Sequence, residues 1–219
     1  VNGVCGTSQT TMAVTLSISS APAIMQNPID VITCEGESVV FSADISGNPQ
    51  FQWQVSTDAG ASFSNLSNGN GYSGVNTSSL TINPLTSNLT SYQFHVVGSA
   101  CNTTITSSAA LLTVNELPSV NITQVPPPVC PGESVSISAQ VSNEVSLQWQ
   151  VNTNGTWINV PGTSNYQGAT TSTLSIQNIP ASLQNALFRL QVSGTCGNPV
   201  YSSEVVLFLN GIPVIISSP

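Results

Sequence analysis

The sequence predicts an all-β protein made of tandem β-sandwich domains arranged end to end. Three observations carry that expectation. Val, Ile, Thr and Ser dominate the chain, and Gly and Pro punctuate it at short intervals. Apolar residues recur with period two: Val39, Phe41, Ala43 and Ile45 alternate with polar residues, and Phe51, Trp53 and Val55 alternate with Gln52 and Gln54. The whole pattern then repeats. CEGESVVFSADI (34–45) returns as CPGESVSISAQV (130–141), FQWQVST (51–57) as LQWQVNT (147–153), and YSGVNTSSLTI (72–82) as YQGATTSTLSI (166–176).

The repeat sets the expected organisation. The segment ending in Cys101 returns at Cys196, and the 96-residue step that separates Cys34 from Cys130, taken backwards from Cys101, lands on Cys5. Pro22, Pro118 and Pro213 mark each restart. Residues 1–20 are therefore expected to be the C-terminal strand or strands of a preceding repeat. Residues 21–115 and 116–210 are two whole repeats, and 211–219 is the first strand of a following one. On this reading Cys5 lacks a partner because the chain is cut from a longer array.

Each repeat has about seven short strands, since turn signals fall every 8–12 residues. Asp58-Ala59-Gly60 and Asn154-Gly155 close equivalent hairpins after the Trp-bearing third strand. Trp53 and Trp149 are expected in the core, and Phe63 and Trp157 on a short strand after the hairpin. Tyr72 and Tyr166 precede a turn glycine. GES before the second strand, QWQ on the third, Leu-x-Ile on the fifth and an aromatic on the sixth resemble the immunoglobulin-like repeats of bacterial cell-surface adhesins. The likeness is to the giant adhesins of gliding bacteria exported by the type 9 secretion route. It implies an extracellular, surface-attached array with a role in attachment or gliding. The chain departs from the antibody pattern: Ala43 with Val96, and Ala139 with Leu190, stand where inter-sheet cysteines would be. Phe94 and Phe188 stand where a tyrosine corner needs a hydroxyl.

Each repeat carries one Cys before GES, in the turn between the first two strands, and one in the turn between the last two. Those turns lie at opposite ends of such a sandwich, and the eight-residue second strand alone spans about 25 Å. A disulfide needs Cα atoms within about 7 Å. Head-to-tail stacking brings the two turn types together at a junction, so the geometry favours an inter-domain clamp between Cys34 and Cys196. Cys101 would then pair upstream of Val1 and Cys130 beyond Pro219. The alternatives are intradomain pairs, Cys34 with Cys101 and Cys130 with Cys196, or free thiols.

Composition narrows function. Only 5% of residues are charged, the net charge is −8, and Arg189 is the single strong cation. Nothing is available to displace phosphate counterions, so nucleic acid is an unsuitable partner, and anionic lipid equally so. No run is apolar enough for direct membrane insertion. Six Asn-x-Ser/Thr sequons, five cysteines and no lysine fit an oxidising, extracellular setting. No catalytic constellation assembles around the lone His95, which aligns with Arg189 on the outer face of a strand. No cofactor is expected. Glu35, Glu37, Glu133 and Asp30 read as solvated turn carboxylates rather than calcium ligands, with Glu37 and Glu133 accepting backbone hydrogen bonds. The expected function is a non-enzymatic spacer whose partners are neighbouring repeats, with self-association into filaments a variant. The rivals are a carbohydrate- or protein-binding module using Trp157 or Phe63 against polysaccharide or another surface ligand, and an accessory region of a secreted enzyme.

Overall fold

The computed structural model describes residues 20–211; Cys5, the expected preceding strand at 1–20 up to residue 19, and the expected following strand from 212 lie outside the described residues. The strands run along the chain as β1 (Ala23–Gln26), β2 (Val31–Cys34), β3 (Val39–Ser42), β4 (Asp44–Ser46), β5 (Gln50–Ser56), β6 (Ser64–Asn65), β7 (Tyr72–Ser73), β8 (Ser79–Ile82), β9 (Gln93–Ala100), β10 (Thr103–Thr106) and β11 (Ala110–Asn115). They continue as β12 (Ser119–Gln124), β13 (Val135–Ser142), β14 (Ser146–Asn152), β15 (Trp157–Asn159), β16 (Tyr166–Gln167), β17 (Thr173–Ile176), β18 (Leu187–Ser193), β19 (Val200–Tyr201) and β20 (Val205–Val206). The only helical pieces among the described residues are single 3₁₀ turns, Ser87–Leu89 and Ala181–Leu183.

Contacts divide the chain into two compact units. One takes the described residues up to Asp30 with Val40–Ile82 and Tyr92–Leu111; the other takes Val31–Val39, Asn83–Ser91 and the described residues from Leu112 on. The turn that follows β2 thus groups with the second unit.

In the first unit β9 is the central strand. It pairs antiparallel with β5, Trp53 opposite Val96 and Gln54 opposite His95, and on its other edge with β10 and then with the start of β11. β6 extends the sheet from β5. β1 pairs with β4 and β7 with β8. Alternation places Phe41, Ile45, Trp53, Leu80, Ile82, Phe94 and Val96 inside, all buried, while their strand neighbours face out. The Phe41 and Phe94 rings stack at 5.1 Å, filling the space between the sheets. The Trp53 indole is fully buried, and its Nε1 donates to the Thr77 carbonyl at 2.9 Å, so burial leaves no orphan donor. Ala43 and Val96 are both buried, a small side chain and a larger one filling the core without a disulfide.

The second unit repeats the scheme. β12, β13, β17 and β16 form one sheet; β15, β14, β18 and β19 form the other, with β20 also on β18. Ile137, Trp149, Leu174, Ile176, Phe188, Leu190, Val192 and Leu207 make one buried cluster, with Ala139 partly buried against it. Trp149 Nε1 donates to the Thr171 carbonyl at 2.9 Å. Truncating a buried Trp of this kind to Ala costs about 3–5 kcal/mol. Here too β2 runs parallel to the end of β11, Val31 opposite Leu112 and Cys34 opposite Asn115. Pro28 interrupts the chain before β2, because proline cannot continue donating to the ladder on which β1 lies. Pro126–Pro128 does the same after β12, and Val129 then makes a parallel bridge to Leu209.

A buried serine recurs where the last strand is interrupted. The Ser107 hydroxyl accepts from the Val96 amide (3.1 Å) while the Ser107 amide donates to the Val96 carbonyl (3.0 Å). Ser202 does both to Leu190 at 2.9 Å. A side chain thus replaces the ladder bond that the irregularity removes.

Candidate functional site

Two places stand out: the disulfide with its surrounding turns, and the outer face of the sheet that carries the lone cation.

The first grows out of the CxGES motif. Gly36 and Gly132 adopt φ of 85° and 92°, the left-handed region that suits glycine. The turn they make docks on a neighbouring one: Gly36 donates to the Leu85 carbonyl and Leu85 to the Glu37 carbonyl, each at 2.9 Å. Gly132 and Ile179 repeat this with Glu133 at 2.8 and 3.0 Å. The Glu reaches back to the cysteine amide, Cys34 N to Glu37 Oε2 at 3.4 Å and Cys130 N to Glu133 Oε2 at 2.7 Å. The Thr33 hydroxyl also donates to Glu37, and this bond, followed by that from the Cys34 amide, holds the Glu37 carboxyl below its ordinary range. Both glutamates therefore serve the turn, and among the described residues no group of three or more metal-ligating side chains occurs.

Cys34, at the end of β2, is bonded to Cys196, in the loop between β18 and β19, with Cα atoms 5.6 Å apart and a separation of 162 in sequence. Cys196 is buried. Closing a loop of that length is worth about 5 kcal/mol in the chain-entropy account. The segment beside the bond is held in place. The Glu35 amide donates to the Asn115 carbonyl at 2.9 Å. Asn143 Nδ2 donates to Glu116 Oε2 at 2.9 Å and to the Leu117 carbonyl at 3.2 Å. A Cβ at Gly194 would lie 3.0 Å from Pro118 Cδ and 2.7 Å from the Asn143 carbonyl oxygen, so Pro118 seats where only glycine leaves room.

With Cys34 and Cys196 spent on each other, the intradomain pairs Cys34–Cys101 and Cys130–Cys196 are not formed. For the latter the reason is distance. Cys130 precedes β13, whereas Cys196 follows Gly194, which abuts Asn143 at the far end of that strand, about 25 Å away. Cys130 is exposed with a free thiol. Cys101 is exposed, and its Sγ lies 3.6 Å from the Ser20 carbonyl oxygen.

The second place is the outer face of β14 and β18. Arg189 on β18 lies opposite Gln150, with Trp157 on β15 to one side and Tyr201 on β19 to the other. Its guanidinium carbon sits 4.1 Å from the Trp157 ring centroid and 4.0 Å from that of Tyr201. Arg189 Nε donates to Gln150 Oε1 at 2.9 Å; Gln150 Nε2 in turn donates to Asn159 Oδ1 (3.1 Å) and Gln191 Oε1 (3.0 Å). Among the described residues Arg189 has no carboxylate partner.

The first unit carries an uncharged version. Phe63 stacks on His95 at 3.8 Å, His95 Nε2 and Gln54 Oε1 are 2.6 Å apart, and Gln54 Nε2 donates to Asn65 Oδ1 at 2.7 Å. Burial lowers the His95 pKa below its ordinary value, so the ring is neutral at pH 7. Phe63 and Trp157 are thus half-buried against a neighbour on the outer face, packed but outside the core. Tyr72 and Tyr166 are likewise half-buried, and desolvation raises both phenols.

Sequence reasoning missed Tyr201 and the two serines. An outward position on β19 beside Gln191 was the available signal for Tyr201. Ser107 and Ser202 align at the repeat step but look like any other serine in so Ser-rich a chain.

No protein-family model and no curated protein matches the sequence. Solved structures do resemble it. An I-band fragment of titin superposes with a TM-score of 0.58 at 16% identity, over 88% of this chain and 66% of that one. Extracellular domains 3–5 of Drosophila OTK give 0.54 at 12% identity, over 88% and 63%. The N-terminal four Ig domains of Dscam1 give 0.52 at 14% identity, over 90% and 48%. The chain thus spans less than two thirds of the length of each of these fragments. The protein is an all-β immunoglobulin-like sandwich protein, and at these identities the likeness is one of fold.

Proposed function

We propose that this chain is a non-enzymatic spacer of an extracellular surface adhesin or filament, built of immunoglobulin-like repeats at 21–115 and 116–210, and that it supports cell attachment or gliding. The observation that carries the reading is the Cys34–Cys196 bond, which joins a turn of one sequence repeat to a loop of the next. Both cysteines lie within the second compact unit, and a covalent bond between successive sequence repeats beside the Pro118 linker suits a load-bearing array. Cys130, exposed and equivalent to Cys34, is the position from which a following copy is clamped in the same way. An oxidising compartment, in which such bonds persist, fits the extracellular placement.

The test is the shape of a segment containing three whole repeats, measured by small-angle X-ray scattering with and without reductant. A narrow, rod-like distance distribution that broadens on reduction is expected. A distribution equally broad in both states removes the mechanical role. A second reading, a ligand-binding module, is favoured by the cation held between Trp157 and Tyr201.

A further inference from the structure

Arg189 is the only lysine or arginine in a chain of net charge −8, and nothing in the spacer reading uses it. An arginine that served solubility alone would extend into water. This one is pressed between two aromatic rings, fixed by Gln150, and without an acidic partner among the described residues.

Its geometry states what is left to offer. Guanidinium has five N–H donors in a plane. Trp157 and Tyr201 cover the two faces, and Gln150 takes the Nε donor. The Nη edge remains, and a planar pair of N–H groups matches a carboxylate in bidentate fashion. The side chain is already immobilised, so binding there does not incur the usual rotamer-ordering cost. Around it stand carboxamides (Gln150, Gln191 and Asn159), already linked to one another, and the ring of Tyr201, which is 46% exposed. Amides and aromatic rings are partners for hydroxyl groups and for the C–H faces of a sugar.

We propose that this face binds a carboxylate-bearing saccharide, with the Arg189 Nη edge holding the carboxylate and Trp157 and Tyr201 flanking the sugar ring. Charge selects among anions. One cation against a net −8 suits an isolated carboxylate set among neutral hydroxyls, whereas a densely anionic peptide meets repulsion from the rest of the chain. The first unit supplies an internal control, since neutral His95 stacked on Phe63 occupies the equivalent position. One site per chain is therefore expected. The inference stands apart from the spacer reading, because a flexible array could bind and a rigid one could fail to.

The experiment is calorimetric titration of the whole chain with an otherwise neutral oligosaccharide ending in a single uronate, the same oligosaccharide with a neutral sugar in that place, and an oligoglutamate. Saturable binding of the uronate at one site per chain is expected, with neither of the others binding comparably. Arg189→Gln should weaken it at least tenfold, and Arg189→Lys, which keeps the charge but loses the fork, should fall between. Should Arg189→Gln fail to fold, Arg189→Lys is read instead, and undiminished affinity there overturns the proposal. So do no binding of the uronate, equal binding of the neutral sugar, equal or tighter binding of oligoglutamate, two equivalent sites, or indifference to Arg189→Gln.

Discussion

Pulling on the two ends of the chain gives the disulfide a mechanical signature. With the bond intact, force enters at Cys34 and leaves at Cys196 through sulfur, so the chain across their sequence separation of 162 carries no tension. Fully extended, 162 residues span about 550 Å at roughly 3.4 Å each, against the 5.6 Å that separates the two Cα atoms in the fold. The rest of the 219-residue chain, 219 − 162 = 57 residues, can release only about 190 Å by the same measure. Optical-trap extension of the chain tethered at its termini should therefore plateau near about 190 Å when oxidised. The variant Cys34→Ser/Cys196→Ser, or the wild type in reductant, should gain about 550 Å more. A wild-type oxidised chain that releases the full length would refute the argument, because force would then be passing through residues 35–195.

Other perturbations bear on the sandwiches themselves. Ser202→Ala removes the acceptor of the buried Leu190 amide; a loss of about 1–3 kcal/mol in urea unfolding is expected, and no change would mean that amide finds another partner. Gly168 has φ of 77° and a Cβ built there would lie 2.1 Å from the Thr173 carbonyl oxygen, whereas nothing lies within 4 Å of one at Gly162. Gly168→Ala should accordingly destabilise by more than the roughly 1–2 kcal/mol that the left-handed conformation alone costs, while Gly162→Ala stays close to wild type in the same assay. His95 should titrate by NMR below its ordinary value of 6.5, because burial disfavours the charged ring. Its folded pKa is depressed, so the unfolded chain binds the proton more readily. Its contribution to stability is then present above 6.5 and lost as pH falls below that value towards the folded midpoint; a midpoint at or above 6.5 would contradict this.

Much of the architecture was legible because period two is a local property. Val135 and Ile137, or Phe188, Leu190 and Val192, declare their buried face in a few residues, and the strands follow. The motif GES was equally readable, since a left-handed glycine and a carboxylate returning to a backbone amide are both short-range events. What escaped were long-range consequences. The parallel pairing of β2 with β11 joins residues about 80 apart, and only Pro28 hints that the chain leaves one sheet for another. Trp157 and Phe63 were candidates for ligand contact, but their neighbours Arg189 and His95 come from a strand about 30 residues on. Tyr201 completes the cation sandwich from yet another strand, and no pattern within β19 distinguishes it from an ordinary outward tyrosine.

The covalent link between the two sequence repeats is tested most directly by non-reducing peptide mapping. Cleavage after glutamate and before aspartate isolates Cys34 in peptide 30–35, Cys196 in 145–204 and Cys130 in 117–133, and separates Cys101 from all three. Peptide 30–35 joined to 145–204 is the predicted product. Peptide 30–35 joined to the one bearing Cys101, or recovered with a free thiol from unreduced protein, would contradict the account.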